Sequence, residues 1–449
     1  MNRQIFAAIL TVGSLTVLVK LAAMAKELVA ARQFGTSDAM DAFLMAYLLP
    51  SFAVNVIVGQ FNGALIPTYI QVREREGLAA VQILVSRVFG YGLIVLLLVS
   101  GLIALVMPII LPLLASGFGT DKLALTLRLF YCLLPIVLLS GLSTIASAVL
   151  NAEERFAFAS LTPIVTPILI VIALFTVANA WGIYAFAVGM VAGVTLEASL
   201  MGLALTRQGL SVVPQWNGFD DNTKQVFKEY VPLIAGALLM GGTEIVNQSM
   251  AAMLGSGSVS ALNYGNKLLG FILGIGSFAM STAILPYLSR MVAVADWSAV
   301  QRTLVVYARL ILSITVPLAA GLIYFSEPIV RMLFERGAFT PEDTSLVGKL
   351  QALLLLQVPF YAFGMLFVRL ISALKGNHLL MWGSLAYLLT TILLNYWLIR
   401  WFEVSGLALS ISCVYILNCF YLLFASGRLL KKIKAGTMVH ESLPRTLQT

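Results

Sequence analysis

Charge is what this chain has least of. Only 11% of its 449 residues are Asp, Glu, Lys or Arg, against 60% hydrophobic, and the mean hydropathy is +0.96. Soluble globular domains carry about 25% charged residues, so a water-soluble fold of this size is excluded. Histidine is scarcer still: His378 and His440 are the only two. They fall in an expected loop and in the tail, so no catalysis is assigned to them. The three cysteines, Cys132, Cys413 and Cys419, all sit in apolar runs without metal-ligand spacing or a disulfide framework. They read as small core residues. No Walker A loop is present, which argues against an ATP-driven pump. No cluster of His, Asp or Glu marks a membrane-face enzyme, so no enzymatic activity, metal or cofactor is expected. The short alternating segments of a membrane β-barrel are missing as well.

Long apolar runs fill the space that these absences leave. They recur from Ile5 almost to Phe424, which predicts an all-α polytopic membrane protein. About twelve spans are expected, near 7–31, 42–70, 83–115, 123–149, 157–179, 182–206, 229–254, 260–288, 303–333, 345–373, 379–400 and 404–425. Arg73, Arg75, Arg87, Arg155, Arg207, Lys224, Lys228, Arg290, Arg302 and Lys375 then fall on one side of the membrane. Arg3 and the tail cations Arg428, Lys431, Lys432 and Lys434 join them, so both termini are expected to be cytoplasmic. The other side mixes its cations with acids, as in Asp121/Lys122 and Glu335/Arg336. Arg3 followed by an apolar run and Ala23-Met24-Ala25 has the look of a cleaved signal peptide. The run takes part in an internal repeat, however, and is expected to be retained.

That repeat pairs Phe34-Gly35 and Gly63-Ala64-Leu65-Ile66-Pro67-Thr68-Tyr69 with Leu254-Gly255 and Thr282-Ala283-Ile284-Leu285-Pro286-Tyr287. The glycines Gly35 and Gly255 are 220 positions apart and the prolines Pro67 and Pro286 are 219 apart. A weaker match joins Ser147-Ala148-Val149-Leu150 to Ser372-Ala373-Leu374-Lys375. A period of half the chain predicts a six-helix lobe over residues 1–207, a cytoplasmic linker over 208–222 and a second lobe over 223–426. A basic cytoplasmic tail follows over 427–449. Asn222-Thr223 reads as a helix start. With an even number of spans in each, the lobes are expected to be related by an axis along the membrane normal, around a central cavity.

The ionisable residues inside the spans are the candidates for function. An ammonium in hydrocarbon costs about 2.5–3.5 kcal/mol, so Lys20, Lys26 and Lys267 are expected to line a polar cavity. A cationic cavity in lipid suggests an anionic substrate that crosses the bilayer. Lys20 and Glu27 share a helix stripe while Lys26 points about 120° away from Lys20. Lys26 and Glu27 also fit an interfacial ion pair, and Lys267, beside Asn263, Tyr264 and Asn266, also fits the outer interface. Asp41 fits a helix N-cap or a carboxylate that holds the first span's lysines. Glu244, with Asn247 and Gln248 on its face, fits a buried proton or sodium site or an interhelical contact. Glu197 is isolated and reads as an interhelical contact. Arg309 and Arg369 lie toward span ends and are expected to snorkel.

Several segments resemble the lipid II flippase family (the MurJ/MviN group) of the multidrug/oligosaccharidyl-lipid/polysaccharide exporter superfamily. They are Ala31-Arg32-Gln33-Phe34-Gly35, Asp41-Ala42-Phe43, Leu49-Pro50, Gly255-Ser256-Gly257-Ser258-Val259-Ser260 and Ala283-Ile284-Leu285-Pro286-Tyr287-Leu288-Ser289. Phe334-Glu335-Arg336-Gly337-Ala338-Phe339-Thr340 and Gly406-Leu407-Ala408-Leu409-Ser410 complete the set, in the family's order along nearly the whole chain. The resemblance implies alternating access by two rocking lobes in the bacterial inner membrane. It implies an undecaprenyl-diphosphate-linked sugar, such as lipid II or a related peptidoglycan precursor, as substrate. The family's cavity cations fall on Lys20, Lys26 and Lys267 and its early aspartate on Asp41, with Glu27 as a second neutralising carboxylate. A monovalent cation or proton is implied as coupling partner, with Glu244 and Asn395 as candidates for its site.

There are departures from the family's pattern. Lysine replaces arginine at the three cation positions, a point charge in place of a bidentate fork. Ala53-Val54-Asn55 stands where the family has an arginine pair. Two further C-terminal helices usual in the family are expected to be missing. A flippase for an exopolysaccharide or O-antigen repeat unit is therefore the rival reading, and a drug/cation antiporter of the same superfamily the next.

Overall fold

In hydrocarbon each unpaired backbone amide costs several kcal/mol, and a helix pairs them within its own segment. Long apolar runs therefore fold as helices. The computed structural model describes the backbone of residues 2–210, 213, 218, 221–374 and 376–434. Side chains are described throughout these except at 2–10, 62, 221–222, 229, 231–233, 235–236, 240, 275–286, 289 and 434. Most of the expected linker, Lys375, the tail beyond Lys434 and the side chains of the repeat segment Thr282–Pro286 thus lie outside the described residues. Every regular element among the described residues is helical, as the composition requires. Eight stretches of these residues are long and apolar enough to cross a membrane. The chain divides into two compact units, Met1–Tyr264 with Ile329–Val347, and Gly265–Pro328 with Gly348–Thr449.

The first unit begins with α1 (Asn2–Phe34), α2 (Asp38–Val56), α3 (Phe61–Glu76) and α4 (Leu78–Leu114). There follow α5 (Thr120–Leu133), α6 (Pro135–Ala152), α7 (Phe156–Leu161), α8 (Val165–Thr176), α9 (Ala178–Trp181), α10 (Tyr184–Arg207), α11 (Asp221–Ala252) and the start of α12 (Ser258–Ala293). Helix α4 shows how these elements meet their surroundings. Leu98, Leu102, Leu105, Ile109 and Leu113 form one helical stripe and are 62–76% exposed, while Leu84, Val85, Val88 and Leu96 are buried. An apolar stripe so open is suited to lipid. Leu84, Val85 and Val88 join Leu65, Tyr69, Val149, Leu150 and Tyr230 in a core shared by α3, α4, α6 and α11, and Leu96 packs with Ala53, Val58 and Val137. Helix α10 packs on α6 and α8, and α1 packs on α7 and α8.

Several expected spans are interrupted helices. The run 123–149 breaks between α5 and α6, 157–179 between α7 and α8, and 345–373 between α15 (Pro341–Leu355) and α16 (Val358–Ala373). Pro135, Pro163 and Pro359 stand in the first turn after each break, where a missing N–H and a fixed φ cost nothing.

In the second unit the rest of α12 is followed by α13 (Trp297–Tyr324), whose N-terminus is capped by Asp296 accepting from Ala299 N–H at 2.9 Å. Helix α14 (Ser326–Phe334) begins here, and α15 ends here before α16. The last element, α17 (Asn377–Lys434), is broken at Glu403, which adopts φ 50°, ψ −130°. The Tyr421 hydroxyl donates to the Leu379 carbonyl at 2.9 Å, so the two arms fold back on one another. This is the expected boundary between the spans 379–400 and 404–425. Leu288, Val300, Leu366, Phe367, Leu370 and Leu422 form this unit's core.

Candidate functional site

The sequence-derived cations of the first unit lie on α1, and the fold treats them differently. Lys20 is exposed. Lys26 Nζ lies 2.7 Å from Glu27 Oε1, with side chains 16% and 10% exposed. The same ammonium sits 5.4 Å from the centre of the Phe186 ring on α10, within reach of a cation–π attraction. Lys26 is therefore neutralised by its neighbour and packed on an aromatic face, while Lys20 stands open. Lys267 and Asn395 belong to the second unit, Lys267 half-buried and Asn395 fully buried on α17.

Asp41 is completely buried, and it does not hold the lysines of α1. Its own helix is capped by Ser37, whose side chain accepts from Met40 N–H at 3.4 Å. The Asp41 carboxylate caps a different helix. Oδ1 accepts from the N–H and the hydroxyl of Ser260, both at 2.8 Å, and Oδ2 from Gly257 N–H at 2.8 Å. These amides open α12, where the helix dipole favours a negative charge. Lys122 Nζ completes the set at 2.9 Å from Oδ2 and also bonds Asp38. Ser256 donates to Asp38 at 2.8 Å.

A second strand of contacts joins the same α1–α2 turn to the segment before α15. Ala338 N–H donates to the Arg32 carbonyl at 2.8 Å, and the Thr36 hydroxyl donates to Asp343. Asp343 in turn accepts from Thr340 N–H at 2.8 Å, while the Thr340 hydroxyl accepts from Asp343 N–H at 3.2 Å and caps α15. The rings of Tyr264, Phe334 and Phe339 pack with centroids 5.5–5.7 Å apart. Two glycines make this closeness attainable. Gly35 has φ +53° and Gly257 φ +80°, and a Cβ on them would lie 2.3 Å from the Ala338 carbonyl oxygen and 2.5 Å from that of Thr36. We call this cluster the latch. It gathers the starts of α2, α5, α12 and α15 at one end of the unit. At the other end of the α2–α3 run, Arg73 and Tyr69 bond Glu153.

Four of the segments quoted above for their family resemblance meet in the latch: 31–35, 41–43, 255–260 and 334–340. Lys122, Thr36 and Asp343 were missed from sequence. Of these only Asp343 left a signal, the helix-start pattern Thr340-Pro341-Glu342-Asp343. Glu244 differs from expectation in a physical respect. It is exposed on α11 and not buried, while Gln248, which donates to its Oε1 at 2.9 Å, is the buried member of the pair. Among the described residues no three His, Cys, Asp or Glu side chains gather to hold a metal ion.

Apolar helices interrupted at prolines, with ionisable groups held inside, define a polytopic helical membrane protein, and solved structures give its fold. The chain superposes on "Lipid II flippase MurJ, inward closed conformation" with a TM-score of 0.79 at 22% identity, covering 95% of this chain and 90% of that one. It superposes on an inward-facing multidrug resistance MATE family transporter of the MOP superfamily with a TM-score of 0.76 at 12% identity, covering 95% and 99%. Relatives include the probable lipid II flippase MurJ of Rhizobium tropici, 28% identical over 370 residues, covering 78% of this chain and 68% of the relative. The lipid II flippase MurJ of Burkholderia cenocepacia is 26% identical over 436 residues, covering 92% and 82%. Residues 30–445 match the family described as lipid II flippase MurJ. The chain belongs to that family.

Proposed function

We propose that this protein is a flippase that moves an undecaprenyl-diphosphate-linked sugar, lipid II or a related peptidoglycan precursor, outward across the bacterial inner membrane. Both termini face the cytoplasm in this reading, which the cation-rich connections support. The observation that carries it is the latch. Family segments far apart in sequence converge there, and in this reading the cluster serves as the gate that alternating access requires. Lys20, the open cation of α1, attracts the diphosphate, and Lys267 does so from the second unit. Lys26 exchanges its Glu27 partner for the phosphate as the substrate arrives. Asp41 serves the substrate indirectly by holding the gate. Glu244 and Asn395 are the coupling candidates for a proton or monovalent cation. The two lobes 1–207 and 223–426 are the moving bodies.

A flippase for another polyprenyl-linked glycan is the second reading, favoured by lysine in place of a diphosphate-gripping arginine fork. The test is complementation of bacteria depleted of their own lipid II flippase, with membrane expression checked and a Lys20/Lys26/Lys267→Ala triple variant alongside. Rescue by the wild-type chain alone is the expected outcome. Failure of a well-expressed wild-type chain moves the exopolysaccharide reading to first place, and rescue by the triple variant removes the lysines from the mechanism.

A further inference from the structure

One carboxylate of the first unit takes no part in the latch or in the α1 face. Glu197 lies roughly midway along α10, on the stripe that Gly189 and Gly193 begin. Gly193 brings α8 so near that a Cβ there would lie 2.6 Å from Thr166 Cα. One turn further, Glu197 Oε2 accepts from the Thr166 hydroxyl of α8 at 3.2 Å, and Oε1 accepts from the Ser143 hydroxyl of α6 at 3.2 Å. The carboxylate is thus fixed at a junction of three packed helices.

Its charged surroundings are sparse. Helices α6, α8 and α9 and the Thr162–Ile164 turn contain no ionisable residue. Helix α5 contributes Asp121, Lys122, Arg128, Tyr131 and Cys132. Of these, Lys122 is held by Asp38 and Asp41, and the Tyr131 hydroxyl donates to the Ala104 carbonyl at 3.2 Å. Asp121 and Arg128 are exposed, and Cys132 is half-buried. On α10 itself Tyr184 and Arg207 stand at the two ends, and Lys26 rests against Phe186, three turns away. Among the described residues no cation pairs with Glu197.

A hydroxyl is both donor and acceptor, and its hydrogen rotates. Ionised, Glu197 accepts from both Ser143 and Thr166. Protonated, it donates to one of these oxygens, and that hydroxyl turns its own hydrogen to a carbonyl one helical turn back. Both states are fully hydrogen-bonded without moving a helix. We propose that Glu197, with Ser143 and Thr166, is an exchangeable proton site inside the first unit. A proton from water adds to a carboxylate oxygen, forming an O–H bond and cancelling the site's charge, with no change of oxidation state. This rests on the geometry of the junction and goes beyond the transport reading.

The test is infrared difference spectroscopy of the full chain in lipid nanodiscs during a pH titration, independent of any transport assay. Wild type is expected to gain a protonated-carboxyl band on acidification that Glu197→Gln lacks. Ser143→Ala takes one of two donors from the ionised form, while the protonated form can still donate to Thr166, so the band's midpoint should rise by about one pH unit. A band that is absent from wild type, or that survives in Glu197→Gln, overturns the proposal. Should Glu197→Gln not fold, Ser143→Ala and Thr166→Val decide the matter: midpoints unmoved in both overturn it.

Discussion

Asp41 and Glu197 are carboxylates within apolar helices of the same unit, and their surroundings have little in common. Asp41 meets a full positive charge, two main-chain amides at a helix start and a serine hydroxyl. Glu197 meets two hydroxyls alone. The donors of Asp41 come from α5 and α12, segments remote in the chain, and they have no use for a neutral acid. The donors of Glu197 can satisfy either protonation state, because each hydroxyl can also accept. The same functional group therefore fastens segments in one place and is free to exchange a proton in the other. What decides is the number, charge and rigidity of its donors, together with burial that is complete at Asp41 and partial at Glu197.

The contrast can be broken most severely at Asp41. Asp41→Ala leaves Lys122 with Asp38 alone and two amides without their acceptor, and the loss of one partner from a buried ion pair costs about 3–5 kcal/mol. Amide hydrogen exchange at Gly257 and Ser260 in nanodiscs should accelerate accordingly, and unchanged protection there would refute the latch. Gly257→Ala is expected to cost less, about 1–3 kcal/mol, because a side chain at this φ is strained and meets the Thr36 carbonyl. Thermal unfolding followed by proteolysis reads this loss, and the Glu197 titration should be indifferent to it. The smallest effect belongs to Thr36→Val. It removes one hydroxyl bond to Asp343 worth about 1 kcal/mol and should loosen exchange near Ala338 while leaving Gly257 protected. A Thr36→Val effect that spread to Gly257 would mean that the two arms of the latch are one cooperative contact.

Much of the helical pattern was legible in the sequence because apolar run length is a one-dimensional signal, whereas the breaks at Pro135, Pro163 and Pro359 were not read from it. The latch was legible only in pieces. Asp41, Gly255–Ser260 and Phe334–Thr340 each stood out, but their meeting depends on contacts more than two hundred residues apart, which periodicity does not encode. Lys122 read as one half of a mixed-charge loop because nothing local links it to α2. Glu197 read as isolated for a related reason. Its partners are a serine and a threonine on other helices, and single hydroxyls leave no trace in an apolar helix. The burial expected of Glu244 failed on geometry: apolar neighbours in sequence say that a residue is in a span, not which face of the helix carries it.

The amide donors to Asp41 have a consequence for how this chain can change over time. Two of its four partners are peptide groups, which no single side-chain substitution deletes short of proline. Ser258 and Val259, between them, answer to packing and not to Asp41, since both are buried. The burden of inheritance falls instead on one acid, one lysine and the glycine that sets the backbone. A contact written half in main-chain atoms can survive extensive sequence drift, and a chain only about a quarter identical to its relatives could still form it in the same way.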